Sequence, residues 1–477
     1  MAFAITQNCC SDASCVSVCP VNCIHPTPDE PDFGRTETLY VDPATCIDCG
    51  ACADACPVDA IAPTWLLRPD QQVFAQVNAD WFTRPDAPAA PLWDAPRFPT
   101  VDLSAIGRLE VAIVGTGPAA VYAAQSTLRA TEARVTFLER LATPGGLARW
   151  GVAPDHPGTR RVLAHTDAVL HHPRVTLRTG VEVGRDVTPA ELSRRYDAVL
   201  YATGAAGDRA LDVPGDDLPG SVSAREVVHW YTGHPEAVPV DLSRVRRVVV
   251  VGTGNVALDV ARMLSSDPDR LAGTATSPAA LAALRTSGLR EVLVVGRRGP
   301  GEAACSSSEL RALTHLPGVR TVLSGTAPDD APPGSKAELF AALDRYDDDL
   351  AGPPAAGRRI VFAFGRSTRA LVGQDRVRGV VLGSSGGDVT VPAELVVRAI
   401  GHRGTQLPGL PFDAESGRVP HEAGRVVGAP AGTYVVGWAK RGPSGGIGAN
   451  RPDAEETVGS LLADAAAGVI GRPSRRR

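Results

Sequence analysis

The sequence predicts a small α+β domain followed by an α/β region that contains two parallel sheets. Two observations lead to this prediction. The first 60 residues hold most of the cysteines in two runs, each of which ends in Cys-Pro. The rest of the chain alternates apolar strands with helices and contains two strand–glycine turn–helix units, which is typical of parallel sheets. A chain of 477 residues is long enough for about three domains.

The second cysteine run has a regular spacing. Cys46, Cys49, Cys52 and Cys56 read C-x2-C-x2-C-x3-C, and Pro57 follows. This is the iron–sulfur spacing of bacterial ferredoxins, in which the last cysteine of each run binds the other cluster. The alternative is a zinc site, but zinc sites usually pair two C-x2-C units across a longer gap. The run therefore predicts a bacterial ferredoxin domain of the α+β class.

The first run departs from this spacing. Counting back from Cys19, Cys15 takes the third position and Cys9 the first, but Asp12 takes the second. Three thiolates suit a 3Fe–4S cluster, whereas a 4Fe–4S cluster would place Asp12 near its fourth iron. Cys10 is an alternative to Cys9, and Cys23 is an additional thiol near the site. The predicted ligands are Cys19, Cys46, Cys49 and Cys52 for a 4Fe–4S cluster, and Cys9, Cys15 and Cys56 for the other.

Beyond a Pro-rich segment, a first nucleotide-binding unit is predicted. An apolar strand at 109–114 leads into Gly115-Thr116-Gly117-Pro118-Ala119-Ala120, which reads G-x-G-x-x-A and opens an Ala-rich helix. The glycines permit a tight turn and a close approach of the backbone to a pyrophosphate at the helix N-terminus. The next strand ends at Glu139, where a carboxylate can accept a hydrogen bond from a ribose hydroxyl.

The same unit recurs further along the chain. A strand at 246–251 leads into Gly252-Thr253-Gly254-Asn255-Val256, and the next strand, at 291–295, is followed by Arg297 and Arg298. An NAD-binding domain offers an acid in that region, whereas two arginines suit the 2′-phosphate of NADP. The alternative is a pair of ordinary surface arginines. Two such units in one chain indicate one site for FAD and one for NADP(H).

These motifs divide the chain into five segments. We expect the iron–sulfur domain at 1–84, with a short amphipathic helix at 76–82, a Pro-rich semi-rigid linker at 85–107, the first part of an FAD-binding domain at 108–205, an NADP-binding domain at 206–394, and the rest of the FAD-binding domain with a basic tail at 395–477.

Charge is divided unevenly along the chain. Residues 1–64 hold nine acids and one base, a net charge of −8, while the remainder carries +3. This division suits electrostatic docking of an acidic ferredoxin on a basic partner, and an ordinary solvated acidic face explains it equally well. Nothing in the composition indicates a nucleic-acid surface.

Composition also bears on location. No window of 18 or more apolar residues exists, so no transmembrane helix and no membrane partner are expected. No signal peptide is read at the N-terminus. Thiols grouped for metal binding, without a disulfide framework, suit a reducing cytosol, so a cytoplasmic location is expected.

With these motifs placed, residues 109–467 resemble the adrenodoxin-reductase family of ferredoxin–NADP reductases. The resemblance rests on four stretches, at 151–157, 254–261, 295–300 and 437–445. The whole chain is similar to the fused form, in which a seven-iron ferredoxin precedes the reductase. The resemblance implies an α/β flavoprotein with two dinucleotide-binding domains of the Rossmann type.

The resemblance also implies site residues. His156 and Asp259 are the candidate catalytic residues, and His156 either exchanges a proton or only orients bound groups. Family members often carry a second Glu where this chain has Ala312. FAD is expected to contact Gly115, Gly117, Ala119, Glu139, Leu147, Val183, Trp438, Gly445, Gly446 and Ile447. NADP(H) is expected to contact Thr253, Gly254, Asn255, Val256, Arg297, Arg298 and Glu309.

The implied activity is a hydride transfer from NADPH to FAD, followed by single-electron transfer to the fused clusters and an external acceptor, or the reverse. The acceptor would be a ferredoxin or a cytochrome P450 chain. Two alternatives stay open at this stage: an electron-input subunit of a larger flavin and iron–sulfur enzyme, and a ferredoxin carrier with a non-catalytic reductase scaffold.

Overall fold

The computed structural model describes residues 2–84, 106–325, 331, 335–346 and 349–471. They form two compact units. The first contains the described parts of Met1–Val152, Gly158–Gly207 and His402–Arg477, and the second contains those of Ala153–Pro157 and Asp208–Gly401. The predicted linker lies outside the described residues except for 106 and 107, and so does the basic tail at 472–477.

The N-terminal part of the first unit is an α+β domain, as predicted. Strand β1 pairs antiparallel with β4, and β2 pairs antiparallel with β3. Its strands are β1 (Phe3–Ile5), β2 (Ile24–His25), β3 (Tyr40–Val41) and β4 (Ile61–Pro63), and its helices are α1 (Ala51–Ala55) and α2 (Val73–Phe82), with 3-10 turns at Val16–Val18, Thr64–Leu66 and Pro69–Gln71.

Helix α2 covers the predicted amphipathic segment and packs back on the strands. Its Asn78 is buried, and the side-chain amide of Asn78 makes hydrogen bonds to backbone groups of two strands. The Oδ1 atom accepts hydrogen bonds from the amides of Ile5 (3.1 Å) and Val41 (2.8 Å), and Nδ2 donates to the Ile5 carbonyl (2.8 Å). A single polar side chain thus satisfies backbone groups of two strands that would otherwise be unpaired in the interior.

The α/β region begins after the linker. Its first stretch alternates strands and helices as predicted. The elements are β5 (Glu110–Val114), α3 (Pro118–Ala130), β6 (Arg134–Glu139), α4 (Gly146–Trp150), α5 (Pro157–Arg160), α6 (Val162–Leu170), β7 (Val175–Thr179), α7 (Pro189–Arg195) and β8 (Ala198–Tyr201).

The chain then builds the second unit, which contains a sheet of seven parallel strands in the order β10-β19-β11-β12-β15-β13-β14. A separate antiparallel sheet has the order β16-β17-β18. The strands are β9 (Gly207–Asp208), β10 (Ser221–Ser223), β11 (Arg247–Val251), β12 (Glu291–Val295), β13 (Val319–Ser324), β14 (Asp344–Arg345), β15 (Arg358–Ala363), β16 (Ser367–Val372), β17 (Gly379–Ser384), β18 (Gly387–Pro392) and β19 (Leu395–Arg398). The helices are α8 (Ala224–Thr232), α9 (Asn255–Ser265), α10 (Pro268–Leu271), α11 (Pro278–Thr286), α12 (Ser307–Thr314) and α13 (Lys336–Ala341), with a 3-10 turn at Pro300–Glu302.

The last stretch returns to the first unit and completes its sheet, which has the order β21-β22-β23-β8-β5-β6-β7. Strands β23, β8, β5, β6 and β7 are parallel. The elements are β20 (His402–Arg403), β21 (His421–Glu422), β22 (Arg425–Val426), β23 (Thr433–Val435), α14 (Trp438–Arg441) and α15 (Asn450–Ala466). Among the described residues, no helix combines the length and apolarity that crossing a membrane requires.

One expected boundary differs from the structure. The sequence assigned residues from 395 onward to the FAD-binding domain, but β19 lies in the sheet of the second unit, between β10 and β11. Val396 of β19 pairs with Val249 of β11 and with Ser221 of β10. The strand is needed there because β10 and β11 would otherwise leave unpaired backbone groups inside the sheet. The segment Ala153–Pro157, expected in the first domain, also belongs to the second unit.

Candidate functional site

A steric constraint requires glycine at the start of the first predicted turn. Gly115 follows β5 with φ +98°, and a Cβ atom built on it would lie 2.7 Å from the carbonyl oxygen of Ala202, just after β8. Both the backbone conformation and the space therefore require glycine. Helix α3 begins at Pro118, directly after Gly117, so its free amides lie at the carboxyl edge of the sheet, where dinucleotides bind in such folds.

The predicted acid, Glu139, lies at the end of β6 and is 7% exposed. Its Oε2 accepts a hydrogen bond from Thr116 Oγ1 (2.5 Å), and its Oε1 accepts one from the Leu141 amide (2.9 Å). Thr116 Oγ1 also accepts from the amide of Gly145 (3.0 Å). Glu139 is thus fixed against the glycine turn. A carboxylate has about four acceptor sites, so it can also accept from a ribose hydroxyl.

The other residues expected to contact FAD lie around the same edge. Leu147 is half exposed in the first turn of α4, Val183 is buried just after β7, and Trp438 starts α14 after β23. The loop at 445–447 is tied down by Asn450, whose Nδ2 donates to the carbonyls of Gly446 (3.2 Å) and Ile447 (2.8 Å). The sequence analysis assigned Asn450 no role.

The second glycine turn, in the second unit, repeats the first. Gly252 has φ +121°, and a Cβ atom on it would overlap the carbonyl oxygen of Ala399. Asn255 opens α9, and its Oδ1 accepts a hydrogen bond from the Ser306 amide (2.8 Å). Thr253 Oγ1 accepts one from the Ala304 amide (3.3 Å). Two of the four residues expected to contact NADP(H) at this turn thus fasten the loop ahead of α12.

Arg297 and Arg298 follow β12 directly, at the same carboxyl edge of the second sheet as the glycine turn. Both side chains are exposed. The side chain of Arg298 is 67% exposed, and its Nη1 lies 3.5 Å from Glu302 Oε1. An exposed ion pair at this distance contributes little to stability, so Arg298 can exchange it for another anion at small cost.

The predicted catalytic residues belong to a cluster of charged groups in the second unit. His156 Nε2 lies 3.7 Å from Asp259 Oδ1, 3.9 Å from Glu309 Oε2 and 4.0 Å from Asp155 Oδ1. Sequence reasoning grouped His156 with Asp259 but assigned Glu309 to the coenzyme. Ala312, where a second acid was expected to be missing, is exposed on α12, so Glu309 is the acid that α12 brings to His156.

Arg262 organises this cluster. Its buried guanidinium donates to Asp155 (2.7 and 3.0 Å), Asp259 (2.7 Å) and Glu309 (3.4 Å). Sequence analysis gave Arg262 no role. Its position one helical turn after Asp259 on α9 was the available signal, since residues three apart on a helix are neighbours.

The pKa values of two of these carboxylates, Glu309 and Asp155, are shifted in opposite directions. Burial, and next the charge of Asp259, raise the pKa of Glu309 above its ordinary value. Burial opposes ionisation of Asp155 as well, but Arg262 outweighs it and lowers the pKa of Asp155. The ligand atoms of His156, Asp259 and Glu309 lie within 4.8 Å of one another, a spacing that a metal ion could use. However, the Arg262 cation already forms ion pairs with Asp259 and Glu309.

The cysteines form two groups in the N-terminal domain. The first surrounds one small cavity, as the ferredoxin spacing predicts. Cys23 lies beside it, and its thiol is 3.5 Å from Cys19 Sγ, where its hydrogen bond lowers the pKa of the Cys19 thiol. Five thiols line this space, and the four predicted ones among them fit the donor set of a 4Fe–4S cluster. The cavity is lined by Cys19, Cys46, Cys49 and Cys52, with Phe3, Val21, Cys23, Ile47 and Gly50.

The second group contains Cys9, Cys15 and Cys56, and Cys10 lies beside it. Burial raises the pKa of the Cys15 thiol, and the nearby charges of Cys9, Asp12 and Cys56 add to this effect. Cys9, Cys15 and Cys56 also pack in one hydrophobic cluster, which includes Cys10. The group is a fitting donor set for a cluster with three thiolate ligands.

Asp12 is buried and bound to protein donors. Its Oδ2 accepts hydrogen bonds from Ser14 Oγ (2.5 Å) and from the hydroxyl of Tyr122 on α3 (3.3 Å). Its Oδ1 accepts one from the Ser14 amide (3.2 Å). Both oxygens are therefore occupied by hydrogen bonds from protein donors. Sequence reasoning identified Asp12 but not Tyr122, because the two lie 110 residues apart.

Two family descriptions match parts of the chain. Residues 109–299 match the pyridine nucleotide-disulphide oxidoreductase family, and residues 8–60 match the 4Fe-4S dicluster domain. These are the regions that contain the glycine turns and the cysteines.

Whole-chain relatives carry the same combination. The chain is 44% identical to a probable ferredoxin/ferredoxin–NADP reductase of Mycobacterium tuberculosis, over 97% of this chain and 84% of the relative. It is 38% identical to the mitochondrial NADPH:adrenodoxin oxidoreductase of Arabidopsis thaliana, over 76% of this chain and 83% of the relative.

A solved structure shows the same reductase fold. Mycobacterium tuberculosis FprA in complex with NADPH is 44% identical, with a TM-score of 0.70, and the match covers 76% of this chain and 86% of that chain. With the cysteine groups and the two glycine turns in place, the chain belongs to the adrenodoxin-reductase-type ferredoxin–NADP reductases that carry an N-terminal iron–sulfur domain, and it is an oxidoreductase of that family.

Proposed function

We propose that the chain takes electrons from NADPH, passes them through a bound FAD to its own iron–sulfur domain, and delivers them singly to an external acceptor such as a ferredoxin or the ferredoxin of a cytochrome P450 chain. One observation carries this proposal. Helix α3 begins at the predicted FAD turn, and its Tyr122 donates a hydrogen bond to Asp12, inside the second cysteine group. The same helix thus contacts both predicted redox sites within one compact unit.

Separate sets of residues bind FAD and the coenzyme. FAD, when bound, supplies the exchange between two-electron hydride chemistry and single-electron transfer. Gly115 and Gly117 let the backbone approach its pyrophosphate, and Glu139 binds its ribose. At the second turn, Gly254, Asn255 and Val256 do the same for the coenzyme, and Arg297 and Arg298 bind the 2′-phosphate. His156 and Glu309 form a pair that can hold the proton taken up when the flavin is reduced.

An anaerobic titration of the purified full chain with NADPH tests this function. Absorbance reports the flavin, and EPR reports the clusters. We expect both the flavin and the iron–sulfur centres to be reduced without any added protein. A flavin that NADPH does not reduce would favour the ferredoxin carrier with a non-catalytic reductase scaffold. A flavin that bleaches while the clusters stay oxidised would favour an electron-input subunit that needs a larger partner.

Cluster content is the second prediction. Because both oxygens of Asp12 are engaged by Ser14 and Tyr122, we propose that the group of Cys9, Cys15 and Cys56 holds a 3Fe–4S cluster. The protein isolated in air should show a 3Fe-type EPR signal beside one 4Fe–4S cluster. Asp12→Cys should convert the signal toward the 4Fe type, whereas Asp12→Asn should keep it. Two stable 4Fe–4S clusters in the unmodified protein would refute the assignment.

Coenzyme choice is the third prediction. Each charge-assisted contact to a phosphate contributes about 1.5–3 kcal/mol. Because Arg297 and Arg298 are exposed, we expect the low end, which for two contacts is about a 10²-fold preference for NADPH over NADH. Changing both to Ala should raise the KM for NADPH by about this factor and leave NADH kinetics unchanged. Arg320→Ala, an exposed arginine on β13, is the control. Equal efficiency of the unmodified protein with both coenzymes would contradict the claim.

The raised pKa of Glu309 gives a fourth prediction. In the folded chain Glu309 binds its proton more tightly than in the unfolded chain, where its pKa is near 4.5. The stability that this proton contributes is complete at low pH and is lost as pH rises through the folded value. Glu309→Gln has no such proton to lose. Its Tm should therefore exceed that of the parent at pH 8, and the difference should shrink as the pH falls toward 5.

The control for this comparison is Asp344→Asn, whose side chain is 75% exposed and should show no such divergence. If Glu309 and His156 exchange the proton of the reaction, Glu309→Gln should also slow flavin reduction by about 10²-fold. A Tm difference that is flat with pH would show that Glu309 carries no tightly bound proton.

A further inference from the structure

The loop that follows Trp438 reaches the iron–sulfur domain at Gly448. A Cβ atom built on Gly448 would overlap the carbonyl oxygen of Cys10 and the amide nitrogen of Asp12. The two backbones are therefore in direct contact, and only a residue without a side chain fits between them. Gly448 comes immediately after Ile447, one of the residues proposed to contact FAD.

Two side chains extend this contact to the residues between Cys9 and Cys15. Tyr122 donates a hydrogen bond to Asp12, and Arg451, in the first turn of α15, donates to the carbonyl oxygen of Asp12 (3.3 Å) and to Ser14 Oγ (2.8 Å). Tyr122 is 5% exposed. Buried hydrogen bonds of this kind fix a geometry, because breaking them leaves a desolvated polar group without a partner.

A third contact flanks Cys56. A Cβ atom on Gly158 would lie 2.7 Å from Asn8 Nδ2 and 3.2 Å from the carbonyl oxygen of Val58, so this backbone also packs tightly against the iron–sulfur domain. Arg161 pairs with Asp59 nearby, with Nη1 and Oδ2 2.6 Å apart. Both partners of that pair are more than half exposed, so it adds little to the backbone packing.

Apolar packing joins the same side. Ala148 of α4 and Val162 of α6, both almost fully buried, belong to one hydrophobic cluster with Cys15 and Val58 of the iron–sulfur domain. Ala148 directly follows Leu147, another residue proposed to contact FAD. Three segments at the proposed flavin site, on α3, α4 and the loop at 445–448, thus converge on one side of the iron–sulfur domain.

The other cysteine group has a different environment. Cys49 is exposed, and the neighbouring Ile47 keeps 57% of its surface accessible. An exposed ligand beside an exposed apolar side chain is suited to contact with a separate protein, since partner surfaces combine apolar centres with accessible redox groups.

We infer that Gly448, Tyr122 and Arg451 are positioning residues that hold the Cys9–Cys15–Cys56 half of the iron–sulfur domain against the flavin site. Electrons pass between the flavin site and the iron–sulfur domain through this inner half. The half with Cys19, Cys46, Cys49 and Cys52 is the outer one and exchanges electrons with the external acceptor. This inference rests on the proposed function and adds the order of the two halves and the residues that impose it.

The first test measures the contact itself, independently of turnover. Hydrogen–deuterium exchange on the oxidised full-length holoprotein compares Gly448→Ala with the parent. Because the added methyl group must displace Cys10 and Asp12, amides at 8–14 should exchange faster, and those at 46–52 should be unchanged. Gly459→Ala, in α15 where a Cβ meets nothing within 4 Å, is the matched control and should match the parent. Unchanged exchange at 8–14 in Gly448→Ala would overturn the positioning role.

The second test concerns order. After anaerobic mixing with NADPH, rapid-freeze EPR follows each cluster in the parent and in Gly448→Ala, with FAD content measured for both. If the halves act in series, the substitution slows reduction of both clusters by the same factor. A slowed inner cluster beside an outer cluster reduced at the parental rate would overturn the order. Tyr122→Phe and Arg451→Ala apply the same test if Gly448→Ala loses FAD.

These measurements distinguish failure of the proposed function from failure of the inner–outer assignment. If NADPH reduces neither cluster in the unmodified chain, the proposed function is wrong, whatever the exchange data show. If NADPH reduces both clusters but the Gly448 variant matches the parent in exchange and in both rates, the function stands and the inner–outer assignment is wrong.

Discussion

Both dinucleotide sites depend on one steric constraint. The residue that follows a neighbouring parallel strand lies directly against the first glycine of each turn. The carbonyl oxygens of Ala202 and Ala399 leave no space for a side chain on Gly115 and Gly252. Because the turn is so tight, the helix that follows starts directly at the carboxyl edge of its sheet. The free amides and the positive end of the helix dipole then face the position of a bound phosphate. The remaining site residues are arranged around that edge.

Glycines also permit close contacts where the iron–sulfur domain meets the reductase. At Gly448 and Gly158 the absence of a side chain lets backbone lie on backbone, and the polar groups in between are paired through Tyr122 and Arg451. Packing of this kind is short-range and specific in geometry. It differs from docking by opposite surface charge, which was one explanation for the uneven charge of the sequence. The exposed ion pair of Arg161 and Asp59 is an interaction of that kind.

Local patterns were enough to predict most of the fold and part of the site. The cysteine spacing and the two glycine turns are contained within a dozen residues each, and both were confirmed as features of the family. What the sequence could not show were partners far apart in the chain. Tyr122 and Arg451 meet Asp12 across 110 and 439 residues. Glu309 lies beside Asp259 because helices α9 and α12 pack together, and β19 pairs with β10 and β11 in the second sheet.

The two cysteine groups also differ in what reaches them from outside. Oxidation of a thiolate follows its accessibility, so peroxide arriving from the solvent meets the exposed Cys49 before it meets Cys15, which is buried. Damage would therefore begin at the outer cluster. If that cluster passes electrons to the acceptor, as we infer, its loss would stop delivery of electrons while the flavin could still be reduced. The reduced flavin would then have dioxygen as its available oxidant. Oxidation of the exposed ligand would therefore divert electrons from the acceptor to dioxygen.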